Sequence, residues 1–469
     1  PHVGWYSRSN GGAPDLSSCL IPVAERGGWW GRNPWWIPPH VLGRVPDSVD
    51  DRALKVLGFV SFALFFEHYD TSLLSNALKF IKEDLGIAES ELGYFQMMIR
   101  LGALPAFFII PFVDRLGRRR LFLASLIGMS LGTLLTGLSQ TATQFVACQM
   151  LTRTFVLTAS AVSVVIVAEE LPAGARGWGI GMLAAVSAVG HGMGAAMFGA
   201  IEQLPYGWRA LYGFGVVPLL LLPVFRRGIQ ETARFTEHQT ANAGRLQRWW
   251  EPLVGFARTH TSRAFGMAIV ASVASLGHVV VISFTGYFVL QYHGWAPYQL
   301  ALMVIAAGAV GIIGNVVAGR LADRVGRRWV GFVFLALFPG AAWMFYNGPG
   351  WSLTLLWGLL IFMLMGGNVI IRALSSELFP TAHRGTSTGL LALMETLGAA
   401  AGLAILGLLQ KQDGDLITLI PLISLAALVA GLLLLVFPET RLRELEDISG
   451  GDPLGRPAGV TRGRTGSVS

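Results

Sequence analysis

Twelve long apolar runs constrain the fold of this chain more than any other feature of its sequence. They cover residues 54–78, 93–113, 121–139, 144–169, 178–202, 208–226, 264–290, 298–320, 329–346, 351–377, 386–409 and 416–437. About 20 consecutive apolar residues cross the ~30 Å hydrocarbon core of a bilayer as a helix. A helix also satisfies its own backbone hydrogen bonds, as a segment in lipid must. The sequence therefore predicts an all-α integral membrane protein with 12 transmembrane helices.

The distribution of charge supports this class and predicts an orientation. Charged residues make up only 13% of the chain, and its formal net charge is +7. If the N-terminus is cytoplasmic, the loops after the even-numbered helices carry about 17 arginines and the opposite loops about four basic residues. We therefore expect both termini in the cytoplasm and no nucleic-acid binding, which requires a basic face on one surface. Arginine greatly outnumbers lysine, a usage that favours a bacterial inner membrane.

The two ends of the chain differ from the apolar body. Residues 1–51 are rich in Trp, Pro and Gly, and they lack the basic and apolar regions of a signal peptide. We expect this extension to be disordered, the alternative being a segment that lies at the membrane interface. Residues 441–469 are rich in Gly, Arg and Ser and predict a disordered cytoplasmic tail.

An internal repeat divides the body into two halves. Three local matches share an offset of 208 or 209 residues: "DRLGRRR" with "DRVGRRW", "EELPAGARG" with "SELFPTAHRG", and "QETARF" with "PETRLRELE". Such a repeat predicts two pseudo-symmetric six-helix bundles, at 52–226 and 263–440, joined by a cytoplasmic linker at 227–262. Transporters are built from repeats of this kind, with the substrate site between them near the bilayer midplane.

The repeated motif resembles the signature of the major facilitator superfamily, Gly-x-x-x-Asp-Arg-x-Gly-Arg-Arg. The second copy, from Gly319 to Arg328, fits it in full, whereas Ile110 replaces the leading glycine of the first. "PETRLRELE" resembles the sugar porter and metabolite–proton symporter branches, but helix 7 lacks the paired Gln of sugar porters. In helix 1, "EHYD" resembles the Asp-Gly-x-Asp pattern of aromatic-acid–proton symporters, with His68 in place of the glycine. The resemblance covers residues 52–448 and implies secondary active transport.

Four ionisable residues fall at similar predicted depths in the membrane. At 1.5 Å per residue, Asp70 on helix 1, Arg100 on helix 2 and Arg153 on helix 4 all lie roughly 12 Å from the outer end. Glu67 precedes Asp70 by one turn and shares its helix face. Because an isolated charge there costs several kcal/mol, we expect the two acids to face the bundle interior and to meet Arg100 or Arg153.

This predicted cluster suggests how a proton could be coupled to a solute. An anionic substrate that takes the arginine would leave the carboxylate without a partner, and the carboxylate would then bind a proton. The alternative is a permanent salt bridge that only orders the helices, and Arg100 has the further option of extending to the interface. His191, His278 and Glu395 are additional candidates for proton relay, since each lies near mid-membrane.

The signature loops and helix ends predict a cytoplasmic gate. Gly117 and Gly326 permit a tight turn between helices, and in the resembling family the charged residues pair between helices to hold the cytoplasmic side shut. The candidate gate residues are Asp114, Arg115, Gly117, Arg118, Glu170, Arg176, Asp323, Arg324, Gly326, Arg327, Glu377 and Arg384. Topological anchoring alone is the alternative reading of these charges.

The function expected from these features is proton-coupled symport of a small organic solute, favouring an organic or aromatic carboxylate. A sugar or polyol porter, a drug exporter and a nutrient sensor of transporter-like fold remain alternatives. No P-loop, metal-ligand run or nucleophile elbow occurs in the sequence, so we expect no enzyme activity, no cofactor and no metal. The expected partners are the solute, protons and the lipid bilayer, and the expected state is a monomer.

Overall fold

The structure, a computed structural model, describes residues 44–229, 231, 261–379, 384–412 and 414–439. The chain divides into a unit at Pro1–Asp50 and a unit at Asp51–Ser469, and all helices described below belong to the second. In the first unit, the described residues form a turn in which the Val49 amide donates to Pro46 O at 3.0 Å. The predictions for most of the N-terminal extension, most of the linker and the C-terminal tail lie outside the described residues.

Twelve long helical segments, numbered α1 to α12 in chain order, build the second unit. They are α1 (Asp51–Asn76), α2 (Glu89–Phe112), α3 (Arg118–Leu138), α4 (Ala142–Glu170), α5 (Arg176–Phe198), α6 (Trp208–Gly228), α7 (Thr261–Tyr292), α8 (Pro297–Val325), α9 (Arg327–Asn347), α10 (Leu353–Glu377), α11 (Arg384–Gln410) and α12 (Leu416–Leu434). A short helix, Leu78–Leu85, follows α1. The all-helical class predicted from the apolar runs is confirmed.

Within the described residues, 11 helices are long and apolar enough to cross a membrane. The exception is α1, because Glu67, His68 and Asp70 interrupt its apolar sequence. Some local breaks in the other helices coincide with proline, which lacks an amide hydrogen and clashes with the preceding turn. In α2, Pro105 and Pro111 lie at the starts of successive short helical segments.

The two halves repeat the same packing. In the first half α1 packs on α5 and α3 on α4, and in the second α7 packs on α11 and α9 on α10. Glycine permits the closest of these approaches: a Cβ on Gly190 would lie 2.2 Å from Phe65 O, and one on Gly398 would lie 2.0 Å from Ser272 O. Small residues at such crossings let backbones pack tightly in lipid. The duplicated packing confirms two pseudo-symmetric bundles.

The two bundles meet at one end, which we call the closed end. It carries the short helix after α1 and the loop between α7 and α8, and a continuous buried apolar cluster there contains residues of both halves. α2 contacts α11 closely, since a Cβ on Gly93 would lie 2.5 Å from Gly407 N. The opposite end, which we call the open end, carries the two signature loops. The halves therefore enclose a cavity that faces the open end.

Candidate functional site

A cavity of about 500 Å³ lies between the halves. Its walls come from α1, α2 and α4 on one side and from α7, α10 and α11 on the other. Pockets of ~300–1,000 Å³ with a few convergent polar groups suit small organic ligands. The polar residues of the lining are Glu67, His68, Thr71, Ser75, Gln96, Arg100, Arg153, Ser275, His278, Ser283, Asn368, Arg372, Glu395 and Thr396.

The closed end is held by hydrogen bonds that cross between the halves, and Glu89 is their centre. The hydroxyl groups of Tyr287 and Tyr292 donate to its two carboxylate oxygens at 2.9 and 2.8 Å, and Lys82 lies 3.7 Å away. Gln410 donates from its amide to the Glu89 carbonyl oxygen at 3.1 Å. This set of contacts, which we call the Glu89 clasp, was not predicted from the sequence. Two tyrosines near the predicted outer end of helix 7 were its only sequence signal.

The structure separates the two acids of helix 1. Glu67 lines the cavity, with its Oε2 atom buried and without a hydrogen-bond partner. Asp70 is 3% exposed, turns away from the cavity towards α3, and accepts a hydrogen bond from Thr133 Oγ1 at 3.1 Å. Residues three apart differ by about 60° around a helix, so their side chains can reach different neighbours.

The predicted direct contacts between these acids and the arginines do not form. Among the described residues, no ion pair within 4 Å joins Glu67 or Asp70 to Arg100 or Arg153. Arg153 instead donates to Thr71 Oγ1 at 2.8 Å. The prediction assumed that shared depth brings the groups into contact, but helix rotation also decides what each side chain meets.

Both arginines nevertheless belong to the cavity. Arg153 is 8% exposed and lies within the electrostatic reach of both acids. Arg100 lines the same wall, where its charged neighbours are Arg153 and Glu395. Two guanidinium groups in one cavity, neither held in a close ion pair within the described part of the chain, create a positive wall. Guanidinium is well suited to two-point binding of a carboxylate.

The second half contributes a different set of groups. Arg372 and Glu395 approach to 3.8 Å near the mouth, and the Arg372 side chain is 69% exposed. His278 is buried with its Nε2 atom unpartnered, and its ring packs edge-on against Phe338 at 4.5 Å between centroids. Arg372 is absent from the residues predicted for the site, although an arginine inside the apolar run 351–377 is a signal in the sequence.

The two histidines of the first half, His68 and His191, differ in their position relative to the cavity. His191, a predicted relay residue, is half-buried on α5 and does not line the cavity. His68, which the sequence analysis noted only as a departure from a motif, does line it, and its Nδ1 atom is 3.1 Å from Leu64 O. The electrostatic influence of His68 reaches His191. Only one of these two rings can therefore touch a ligand in the cavity.

Each signature loop makes the predicted tight turn. Gly117 has a φ of 91° and Gly326 a φ of 121°, a region that favours glycine, so the predicted turn is confirmed at both positions. The helix after each turn begins beside a carboxylate that comes from the residues just after the last helix of the same half. Glu231 accepts from the Arg119 amide at 3.2 Å, and Glu439 accepts from the Arg327 amide at 2.9 Å. Negative charge at a helix N-terminus is stabilising.

Ion pairs at the open end form within each half. Arg118 donates two hydrogen bonds of 3.2 Å and one of 2.9 Å to Glu169, a pair that is nearly buried. Arg327 pairs with Glu377 at 2.7 Å and with Asp323 at 3.3 Å. Glu169, which the sequence prediction did not include among the gate residues, is thus a carboxylate that pairs with Arg118. The repeat itself carried this signal, because Glu377 minus the offset of 208 is position 169.

The other predicted gate residues occupy the same end. Glu170 is half-buried, Arg176 donates to Leu171 O at 3.3 Å, and Arg324 is exposed. The side chains of Asp114, Arg115 and Arg384 lie outside the described residues.

Comparisons with known proteins agree on one family. The family model described as Major Facilitator Superfamily matches residues 60–403 and, in a second match, 267–452. A cis,cis-muconate transport protein of Acinetobacter baylyi is 25% identical over 75% of this chain and 86% of its own length. A gallate transporter of Pseudomonas putida is 24% identical over 85% and 96%. The inward open structure of the xylose transporter of E. coli has a TM-score of 0.65 at 17% identity, over 84% of this chain and 99% of its own.

Proposed function

The chain belongs to the major facilitator superfamily of membrane transporters, and from this premise we propose that it carries a small organic carboxylate together with a proton. The observation that carries the proposal is the pair Arg100 and Arg153 in the cavity between the halves. Both cations face a volume of about 500 Å³, and no carboxylate within 4 Å neutralises either of them in the described part of the chain. A bound carboxylate would supply the missing negative charge.

The shape and lining of the cavity favour a compact acid with an apolar body. Ile99, Val156, Leu157, Val279, Ile282 and Leu403 contribute apolar surface to it. A ring or short alkyl chain could pack on these residues while its carboxylate lies at the arginines. The names of the muconate and gallate relatives describe organic solutes of this kind, and they support the same substrate class.

Glu67 is the proposed proton carrier. Its carboxylate lines the cavity, has a buried unpartnered oxygen, and is acted on electrostatically by Arg153. When a substrate carboxylate binds Arg153, the attraction between Arg153 and Glu67 is offset, and Glu67 takes up a proton. Both species then cross together. Asp70, which accepts a hydrogen bond from Thr133, acts in this scheme as a second acid near Arg153.

The proposed orientation places the open end in the cytoplasm. The basic residues of the signature loops and of the end of α6 lie at that end, as the excess of positive charge in cytoplasmic loops requires. The described structure is then inward-facing, with the Glu89 clasp on the outer side. We propose a bacterial inner membrane as the location and a monomer as the working unit. His278 and Glu395 are proposed to tune the far wall of the cavity.

The test is transport by the purified protein in proteoliposomes. Uptake of benzoate-type acids should follow an imposed inward proton gradient and collapse when a protonophore is added. Glu67→Gln should retain exchange of labelled for unlabelled substrate but lose accumulation driven by the gradient, because exchange needs no net proton movement. Glu91→Gln, which changes an exposed acid near the closed end, is the matched control. Accumulation by Glu67→Gln at the parental level would refute the proton role.

A sugar substrate is the second candidate, and one observation favours it. Gln96 from the first half and Asn368 from the second half both line the cavity. Their amide groups can donate hydrogen bonds to neutral hydroxyls and accept hydrogen bonds from them. One hydrogen-bond donor of Gln96 is already used, since its side-chain amide donates to Ser283 O at 3.3 Å. Arg153→Gln separates the two readings. It should abolish uptake of an acid, whereas uptake of a neutral sugar that survives this change would favour the sugar reading.

A further inference from the structure

A second, separate groove lies on the outside of the first half at the open end. It has a volume of about 520 Å³ and lies between the start of α1 and the end of α6. Arg52, Lys55 and Phe59 line it from α1, at positions that share one helix face. Pro223, Val224, Arg227 and Gly228 line it from α6.

The groove has three cations at its rim and an apolar floor. The side chains of Arg52, Lys55 and Arg227 are exposed, and none has an ion-pair partner among the described residues. Among the described residues that line the groove there is no carboxylate. In the floor, the ring of Phe59 packs on that of Phe225 with centroids 5.3 Å apart. This combination differs from the central cavity, where acids and bases are mixed.

The close approach of the two helices at this place depends on a glycine. A Cβ on Gly228 would lie 2.0 Å from the ring of Phe59. The glycine thus lets the end of α6 settle against α1, which holds Arg227 opposite Arg52 and Lys55. The three charges are therefore supported by packed backbone rather than by a loop.

We propose that this groove binds the headgroup of an anionic phospholipid, with one acyl chain lying along Phe59 and Val224. The phosphate would meet three cations that have no ion-pair partner in the described part of the chain, and the acyl chain would meet apolar side chains. Basic pockets between membrane helices recognise anionic headgroups in this way, and each basic residue near such a surface contributes about 1 kcal/mol. The site is remote from the transport cavity and does not depend on the proposed substrate.

The experiment measures binding to the purified full chain in detergent. Titrations with phosphatidylglycerol, phosphatidylcholine and inorganic phosphate are followed by the thermal unfolding midpoint, which a ligand of the folded state raises. Phosphatidylglycerol should bind and raise the midpoint. The double variant Lys55→Gln/Arg227→Gln should weaken the binding of phosphatidylglycerol about 25-fold, since each charge contributes roughly fivefold. The control Arg120→Gln/Arg320→Gln removes two exposed charges at the same end, outside the groove.

Three outcomes would overturn the proposal. The first is equal binding of phosphatidylcholine, because the cations would then play no part. The second is an equal loss in the control variant, which would indicate general attraction to a positive surface. The third is inorganic phosphate raising the midpoint at the same concentrations as the lipid, which would make the groove a free-anion site. Because no transported solute is present, failure here leaves the transport proposal untouched.

Discussion

Removal of the Glu89 carboxylate should shift the transporter from the state described here towards one that is open at the opposite end. The clasp joins Glu89, the first residue of α2, to Tyr287 and Tyr292 on α7 of the other half. Alternating access requires these halves to separate at the closed end, so each of the two phenol contacts must break. Glu89→Ala removes both contacts in advance and leaves the backbone contact from Gln410 in place.

The size of the shift follows from the geometry. A hydrogen bond to a charged group contributes about 1.5–3 kcal/mol, so two of them give at most roughly 6 kcal/mol. The Glu89 side chain is 39% exposed, and water can replace part of each contact. The Lys82 contact is a partly exposed ion pair worth less than about 1 kcal/mol. A net loss of about 2 kcal/mol remains, which changes the ratio of the two conformations about 30-fold.

The assay is the distance between the two halves at the closed end. Spin labels on cysteines that replace the exposed residues Glu83 and Gln412 report this distance, in a background where Cys19 and Cys148 are changed to serine. Glu89→Ala should add a population with a longer distance. Glu91→Ala, two residues away and exposed, should leave the distribution unchanged. If the Glu89 variant keeps the parental distribution, the clasp does not hold this end shut, and the reasoning fails.

Three further predictions concern the open end and the cavity mouth. Gly326→Ala should strongly reduce stability and transport, because the new Cβ would lie 2.6 Å from Glu439 Oε2 and because the φ of this residue is positive. The control Gly319→Ala should behave as the parent in both measurements, since no atom lies within 4 Å of its Cβ position. Arg118→Gln should cost roughly 2–3 kcal/mol by thermal unfolding, since it removes the hydrogen bonds that Arg118 donates to the Glu169 carboxylate, and Arg118→Gln/Glu169→Gln should recover part of that loss; a double variant no better than the single would contradict the pairing. Arg372→Gln should raise the half-saturating acid concentration about fivefold at low salt, an effect that falls as salt screens this exposed group, and a salt-independent change would argue against an electrostatic role.

The membrane helices could be predicted because their signal is strong and local. The predicted run 144–169 lies within α4, and the predicted run 121–139 passes the end of α3 by one residue. The turn at Gly117 and Gly326 was equally readable, since only glycine adopts such a φ without strain. The short helix Leu78–Leu85 after α1 was not anticipated, because it mixes charged and apolar residues and has no membrane-length pattern.

Contacts between helices were harder to predict than the helices themselves. Equal depth for Asp70 and Arg153 could be counted along the sequence, but the rotation of α1 that turns Asp70 towards Thr133 depends on packing against α3. The Glu89 clasp joins residues about 200 positions apart, and no local pattern marks such a pair. By contrast, Glu169 was within reach of the sequence, because strict use of the repeat offset points to it.

The residues that occur in both halves of the chain and those that occur in only one half have different roles in a carrier. Gly190 packs against Phe65 on α1, and Gly398 packs against Ser272 on α7. Phe65 and Ser272 are therefore equivalent positions of the two halves, 207 residues apart. By that correspondence the acids Glu67 and Asp70 match Ala274 and Gly277, which cannot carry charge. The close-packing glycines and the helix-capping glutamates, in contrast, occur in both halves.

This division has a physical reason. Both halves must pivot in the same way, so the features that let helices approach and loops turn are needed twice. A single anionic solute needs only one positive wall, and a second buried set of charges would add desolvation cost without a ligand to offset it. We therefore expect changes at duplicated glycines to alter stability and conformational exchange for every solute. Changes at the unduplicated Glu67 and Arg153 should alter which solute is carried and whether a proton moves with it.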